Sequence, residues 1–372
     1  MRCRHCAPAA LPALARRASR QICSPIGSSP RYLRAPGQFL PLFLTVLVTP
    51  LVVSLMGVRG HPPQEPAGGP MTCFHPLKAY RSAEVNPSTG KRGITFNGSK
   101  ALIEGGHLRL PCGQCSGCRI DRSREWALRC SHEAATSSAS CFVTLTYDQQ
   151  HVPTDFSVKL RDWQLFMKRL RKRFGAGVRF FGCGEYGDQT ARPHYHALLF
   201  GLDFPDKTYW CKRGDHRVYT SEALEEVWGM GQCEVGSVTP ASAGYVARYC
   251  TKKITGARAD DHYSRVSPID GQTYRVAPEF ATMSLRPGLG LEWFARYGGD
   301  AFPSDFVVSD GRKVRPPGYY LRKLDEPGQE AIKRLRKRRA AQPAARWNST
   351  SERLRVREEI HALRMKRLVR PL

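Results

Sequence analysis

The sequence predicts an α+β fold. Three strand-like runs, the amphipathic helical stretches set among them, and one connection short enough for a hairpin carry that expectation. Cys141–Tyr147 is β-branched and aromatic, stops at Asp148 and reads as a buried strand. Val178–Cys183 is a second strand, and Arg192–Phe200 a third that pairs back on it across Glu185-Tyr186-Gly187, a Gly-bounded turn. Between the first two, Leu160, Trp163, Leu165, Phe166 and Leu170 recur at helical spacing, with Lys168, Arg169, Arg171, Lys172 and Arg173 on the other face. Ahead of them Arg119–Arg129 suits a partly exposed helix, and Ala243–Lys253 follows the strands as another. Arg286–Gly290 reads as a tight loop leading into a helix at Trp293 and Phe294.

The chain has 372 residues, with 58 Lys plus Arg against 32 Asp plus Glu and a formal net charge of +26. Such an excess draws polyanions at long range, and nucleic acid is the commonest of these; anionic lipid is the other surface it fits. The five basic residues 168, 169, 171, 172 and 173 suit phosphate contacts for the same reason.

Three segments are expected. Residues 1–70 are rich in Arg, Pro, Ala and Ser and include the uncharged run Phe39–Val58, long enough to cross a bilayer but broken by Pro41 and Pro50. Membrane contact, if any, belongs to that run. The texture changes at Met71, so the first 70 residues read as an extension outside the core. Residues 71–300 form the main domain, and 301–372 a basic helical extension with the run Lys333–Arg339, which holds DNA without sequence preference.

The 13 cysteines are odd in number and tightly clustered, which argues against a disulfide framework and for a reducing cytosol. Cys112, Cys115 and Cys118 make two successive C-x-x-C steps that bring three thiols onto one loop. That spacing fits structural zinc, an iron–sulfur loop or plain reduced thiols. A zinc site needs a fourth ligand, for which Cys73, His75, His107 and Cys130 are the candidates.

The chemistry is densest at Arg192–Phe200. On a strand, His194 and His196 point to one face and Tyr195 to the other, so the two imidazoles can share a metal ion. Glu185 lies close across the short connection and can add a carboxylate, leaving open positions for a phosphate oxygen. Oxygen-rich ligation favours Mg²⁺ or Mn²⁺, while two imidazoles also suit zinc. Farther on, Tyr245 and Tyr249 are one helical turn apart on one face, with Lys252 and Lys253 just beyond. A phenol can attack phosphorus, and an ammonium can neutralise the charge that develops.

At these residues the chain resembles the replication initiation proteins of the microviruses, the gokushovirus group most of all, and through them the HUH endonucleases of rolling-circle replication. The resemblance rests on Cys112–Arg119, Phe142–Tyr147, Gly184–Gly187, Arg192–Gly201, Gly244–Lys253 and Ser284–Gly290, and it spans about Met71 to Trp293. It implies a central antiparallel sheet with flanking helices, the tyrosine helix packed beside the central strands. It implies that His194 and His196 bind the catalytic metal, with Glu185 at a third ligand position that varies within the class. Tyr245 and Tyr249 are then alternating nucleophiles, and Lys252 and Lys253 neutralise phosphate.

The activity so implied is nicking of a single-stranded DNA origin with a 5′ phosphotyrosine and a free 3′ hydroxyl, followed by rolling-circle copying by host polymerase and helicase in the bacterial cytoplasm. A basic, zinc-organised nucleic-acid-binding protein without catalysis is the competing expectation. It would leave the histidine and tyrosine pairs without a joint role.

Overall fold

The computed structural model describes residues 72–187, 190–214, 216–249, 258–266 and 271–368. They belong to the unit Gly60–Leu372; the unit Met1–Arg59, with the apolar run Phe39–Val58, lies outside the described residues, as do Lys252 and Lys253. No helix among the described residues is long and apolar enough to cross a membrane.

The chain opens with three short strands, β1 (Leu77–Val85), β2 (Arg92–Thr95) and β3 (His107–Leu110), in the order β2-β1-β3. Helix α1 (Ser116–Thr136) leads to β4 (Ser140–Thr146), α2 (Leu160–Phe174) and the hairpin of β5 (Arg179–Tyr186) and β6 (Pro193–Phe200). A second hairpin, β7 (Thr208–Arg213) and β8 (His216–Thr220), precedes α3 (Glu222–Trp228), β9 (Cys233–Ser237) and α4 (Pro240–Tyr249). Then come α5 (Arg258–Tyr263), the paired β10 (Ser264–Val266) and β11 (Thr273–Arg275), β12 (Phe280–Met283) and α6 (Leu291–Ala301). The chain finishes with β13 (Val307–Ser309), β14 (Arg312–Val314), α7 (Gly318–Leu321), α8 (Glu326–Ala341), α9 (Pro343–Trp347) and α10 (Ser351–Leu368).

The centre is a seven-stranded antiparallel sheet in the order β12-β5-β6-β4-β9-β8-β7, as the α+β expectation required. Helices cover both faces of its middle, so β5 and β6 are buried almost throughout. On one face Trp163, Phe166, Met167 and Leu170 of α2, spaced as one helical stripe, pack with Leu224, Val227 and Trp228 of α3 against Val143, Leu145, Tyr195, Ala197 and Leu199. Each large side chain buried there contributes roughly 1.5–3 kcal/mol. Leu160 is exposed and Leu165 half-buried, so Met167 takes the place in the stripe that Leu165 was expected to fill. On the other face Ala243, Val246 and Ala247 of α4 and Cys130 of α1 pack on Phe181, Cys183, Leu198 and Phe200.

Close approach on β5 depends on two glycines. A Cβ at Gly182 would lie 2.7 Å from the Trp163 ring, and one at Gly184 would lie 2.8 Å from the Phe280 ring. Tyr195, wholly buried, sends its hydroxyl to the start of α2: it donates to the Lys159 carbonyl (2.9 Å) and accepts from the Lys159 N–H (3.0 Å). The strand between the two histidines is thereby tied to the opposite helical layer.

The turn expected at Glu185-Tyr186-Gly187 begins later than that. Glu185 and Tyr186 are strand residues paired with His194 and Pro193, and only at Gly187, whose N–H donates to the Arg192 carbonyl (3.0 Å), does the chain leave the ladder. Flanking apolar residues keep the strand going where the local glycines predicted a bend. The Arg286–Gly290 loop is held from below: Arg129 donates to the Leu289 carbonyl (3.0 Å), and the buried carboxylate of Glu133 accepts from the Gly290 N–H (2.6 Å). Residues beyond 301 are largely helical. Tyr320 and Ile332 share a core with Leu128 and Phe302, and Arg336 and Arg339 of the basic run clasp the fully buried Asp305.

Candidate active site

The register of the central strands assembles the site. Glu185 stands directly opposite His194 on the β5–β6 ladder, and Thr144 of β4 stands opposite His196 on the other side of β6. Cross-strand partners share a face, so all four side chains converge on the α4 side of the sheet. Glu185 Oε1 lies 3.1 Å from His194 Nε2 and 3.1 Å from His196 Nε2, and the three potential ligand atoms lie within 4.8 Å of one another.

The second nitrogen of each ring is also engaged. His194 Nδ1 lies 3.1 Å from the Arg192 carbonyl, which can only accept; a neutral His194 therefore carries its proton on Nδ1 and turns the Nε2 lone pair toward Glu185. His196 Nδ1 meets the Thr144 hydroxyl at 3.0 Å, and its ring stacks on Phe142. Burial pushes the His196 imidazole below the ordinary histidine range, although Glu185 pulls the other way. A neutral imidazole is the form that ligates a metal. Carboxylate and imidazole donors on one face, oriented by their second-sphere bonds, fit a divalent cation, and Glu185, His194 and His196 would hold it.

Helix α4 runs over this face. Its apolar residues face the sheet, which leaves Tyr245 at the margin, 36% exposed, its ring edge-on to His196 with centroids 5.3 Å apart. Tyr249 ends the helix one turn later. The Arg248 guanidinium sits 5.7 Å from the centre of the Tyr245 ring. Thr144, Phe142 and Arg248 were not anticipated from the sequence. Arg248 was within reach of a helical-wheel argument, being three residues after Tyr245, but Thr144 and Phe142 depend on strand register.

The basic face of α2 does not join this cluster, because α2 packs on the opposite side of the sheet. Arg169 caps α3 through the Val227 (2.7 Å) and Trp228 (2.9 Å) carbonyls, Arg171 bonds the Val178 carbonyl, and Arg173 pairs with Glu226. Lys168 and Lys172 are exposed on that far side.

The cysteine loop acquires its fourth member from the segment ahead of β1. The sulfurs of Cys73, Cys112, Cys115 and Cys118 lie within 4.8 Å of one another, with Cys112–Cys118 and Cys73–Cys115 at 4.0 Å. The other three candidates are engaged elsewhere: His75 pairs with Glu358, His107 lies on β3 opposite Tyr80, and Cys130 is buried in the core beneath α4. Backbone N–H groups of Phe74, Cys112, Cys115 and Cys118 point at the sulfurs. Burial opposes ionisation of Cys112, yet the N–H groups of Cys115 and Gln114 and the neighbouring thiols bring it down to about 7; burial pushes Cys73 and Cys118 up. Four thiolates so close repel one another and need a cation among them. Zinc–sulfur bonds of about 2.3 Å set tetrahedral sulfurs about 3.8 Å apart, which the observed 4.0 Å pairs approach.

A sheet bearing paired ligands with a tyrosine helix laid against it is the part of the chain that a known family describes. The family model for the replication-associated protein ORF2 matches residues 140–254, from β4 to just past α4. The replication-associated protein VP4 of Bdellovibrio phage phiMH2K is 34% identical over 261 residues, covering 67% of this chain and 76% of that protein. The replication-associated protein ORF2 of Spiroplasma virus 4 is 30% identical over 280 residues, 70% of this chain and 82% of that protein. The replication-associated protein ORF4 of Chlamydia phage 1 is 30% identical over 228 residues, 58% of this chain and 54% of that one. No solved structure matches. The chain belongs to the family of phage replication-associated proteins.

Proposed function

We propose that the protein initiates rolling-circle replication by nicking a single-stranded DNA origin through a tyrosine ester. The observation that carries this reading is the contact of Tyr245 with His196, one of three side chains grouped as a cation site. Mg²⁺ or Mn²⁺ bound there supplies charge neutralisation at a phosphate oxygen. The chain's own residues do the rest. Glu185, His194 and His196 fix the position where a scissile phosphate is held, and Thr144 and the Arg192 carbonyl fix the rings. The Tyr245 phenol, or Tyr249 in a second round, bonds to phosphorus; its proton passes to solvent, and the 3′ oxygen leaves and takes up a proton. The 5′ phosphotyrosine conserves the bond for later rejoining, and the 3′ hydroxyl primes the host polymerase, with helicase opening the duplex ahead of it. In this reading Lys252, Lys253 and Arg248 balance phosphate charge, Cys73, Cys112, Cys115 and Cys118 hold structural Zn²⁺, and the protein works in the host cytoplasm.

A zinc-organised binding protein without catalysis accounts for the cysteine centre. It gives no reason for Glu185, 1% exposed, to be set between two imidazoles on the face where Tyr245 lies.

The test is incubation of the protein with labelled single-stranded origin DNA and Mn²⁺. A denaturation-resistant protein–DNA adduct is expected, and Tyr245→Phe combined with Tyr249→Phe should abolish it while strand binding survives. An adduct that persists in the double variant rules out the assigned nucleophiles.

A further inference from the structure

Beside the cysteine centre, α1 and the C-terminal helices enclose a cleft of about 240 Å³ whose lining includes Arg124, Arg353, Arg357, Arg364, Asn348 and His361. Arg353, Arg357 and Arg364 are at i, i+4 and i+11 of α10, one face of the helix, and Arg124 comes from α1. None of the four is in an ion pair among the described residues, and the nearby Glu358 is turned to His75. Arg353 Nε and Asn348 Oδ1 are buried without a hydrogen-bond partner. The Arg353 guanidinium lies 4.7 Å from the ring centre of Trp347, and Trp347 is 64% exposed. By contrast, Arg336 and Arg339 in the denser basic run of α8 are already committed to Asp305.

We propose that this cleft is a second single-stranded DNA subsite, remote in sequence from the tyrosine helix, in which the four arginines hold successive phosphodiesters and Trp347 stacks a base. The proposal rests on the reading that single-stranded DNA is the substrate. Converging guanidiniums without carboxylates repel one another, and a polyanion relieves that repulsion. Inorganic phosphate offers the same oxygens, but only a strand also uses an exposed indole, and a positive groove with an aromatic platform is how single strands are held without sequence preference. The cysteine centre builds one wall. Phe74, next to Cys73, packs on His361 with ring centres 5.5 Å apart, so a metal at the four sulfurs holds the cleft in shape.

The test uses the full chain carrying Tyr245→Phe and Tyr249→Phe, so that binding is read without cleavage, and measures fluorescence anisotropy of a labelled oligonucleotide over a salt series. Changing Arg353, Arg357 and Arg364 together to Gln is expected to reduce the slope of log K against log salt by about 2. Trp347→Ala is expected to weaken binding about tenfold at fixed salt. The three arginines changed to Lys should keep the slope, which separates charge from misfolding. An unchanged slope and affinity in the Gln variant overturns the proposal, as does inorganic phosphate filling the cleft without affecting strand affinity. A reduced slope supports it whether or not the unmodified chain forms an adduct, so the subsite and the nicking reading fail independently.

Discussion

Glu185 and His194 are direct partners on the β5–β6 ladder, with carboxylate and imidazole 3.1 Å apart, and His196 reaches the same oxygen at the same distance. Three candidate ligands thus sit within one hairpin, and the carboxylate supplies the only formal negative charge of the three.

Glu185→Gln keeps the side-chain shape and removes that charge. Titration calorimetry with Mn²⁺ is expected to show affinity lowered by about 100-fold or more, since losing even an outer partner of a ligand costs about 10–100-fold. The thermal midpoint without added metal should stay near that of the parent, and an unchanged Mn²⁺ affinity would remove Glu185 from the site.

Cys73→Ser tests the membership that joins the chain's beginning to α1. The unmodified protein is expected to carry one zinc per chain by elemental analysis, and the variant clearly less, with a lower thermal midpoint because binding to a folded site adds directly to folding stability. Cys130→Ser, a core thiol outside the cluster, should leave the zinc content unchanged.

His132 offers a pH signature. Its ring stacks on Trp293 with centroids 3.5 Å apart and bonds the Tyr320 hydroxyl, and burial lowers its pKa from 6.5 to about 4. The unfolded chain therefore binds the proton more readily between those values, and stability falls as pH drops from 6.5 toward 4. The full effect is about 3 kcal/mol at most. His132→Asn should flatten that limb of urea midpoint against pH; an equally steep limb would assign it to other groups.

Much of the metal-binding hairpin was legible because its chemistry is local. Alternation along a strand puts His194 and His196 on one face, and a short connection returns Glu185 to them. What stayed hidden depends on how distant pieces meet. Nothing in Thr144 announces that it will stand opposite His196, since register is settled by turn geometry and packing. Cys73 was one of four candidates until the fold brought its sulfur beside Cys115. The stripe of α2 marked which side it buries, but not which face of the sheet it would cover, and so its basic residues were expected nearer the chemistry than they lie.

Tyr195 is more than a spacer between two ligands. Its hydroxyl is bonded to both the N–H and the carbonyl of Lys159, where α2 begins. Sliding β6 by two residues would keep every inward side chain inward, yet it would tear that phenol from its socket and drop the histidines out of line with Glu185. The residue that faces away from the reaction works as a latch on the alignment of those that face it.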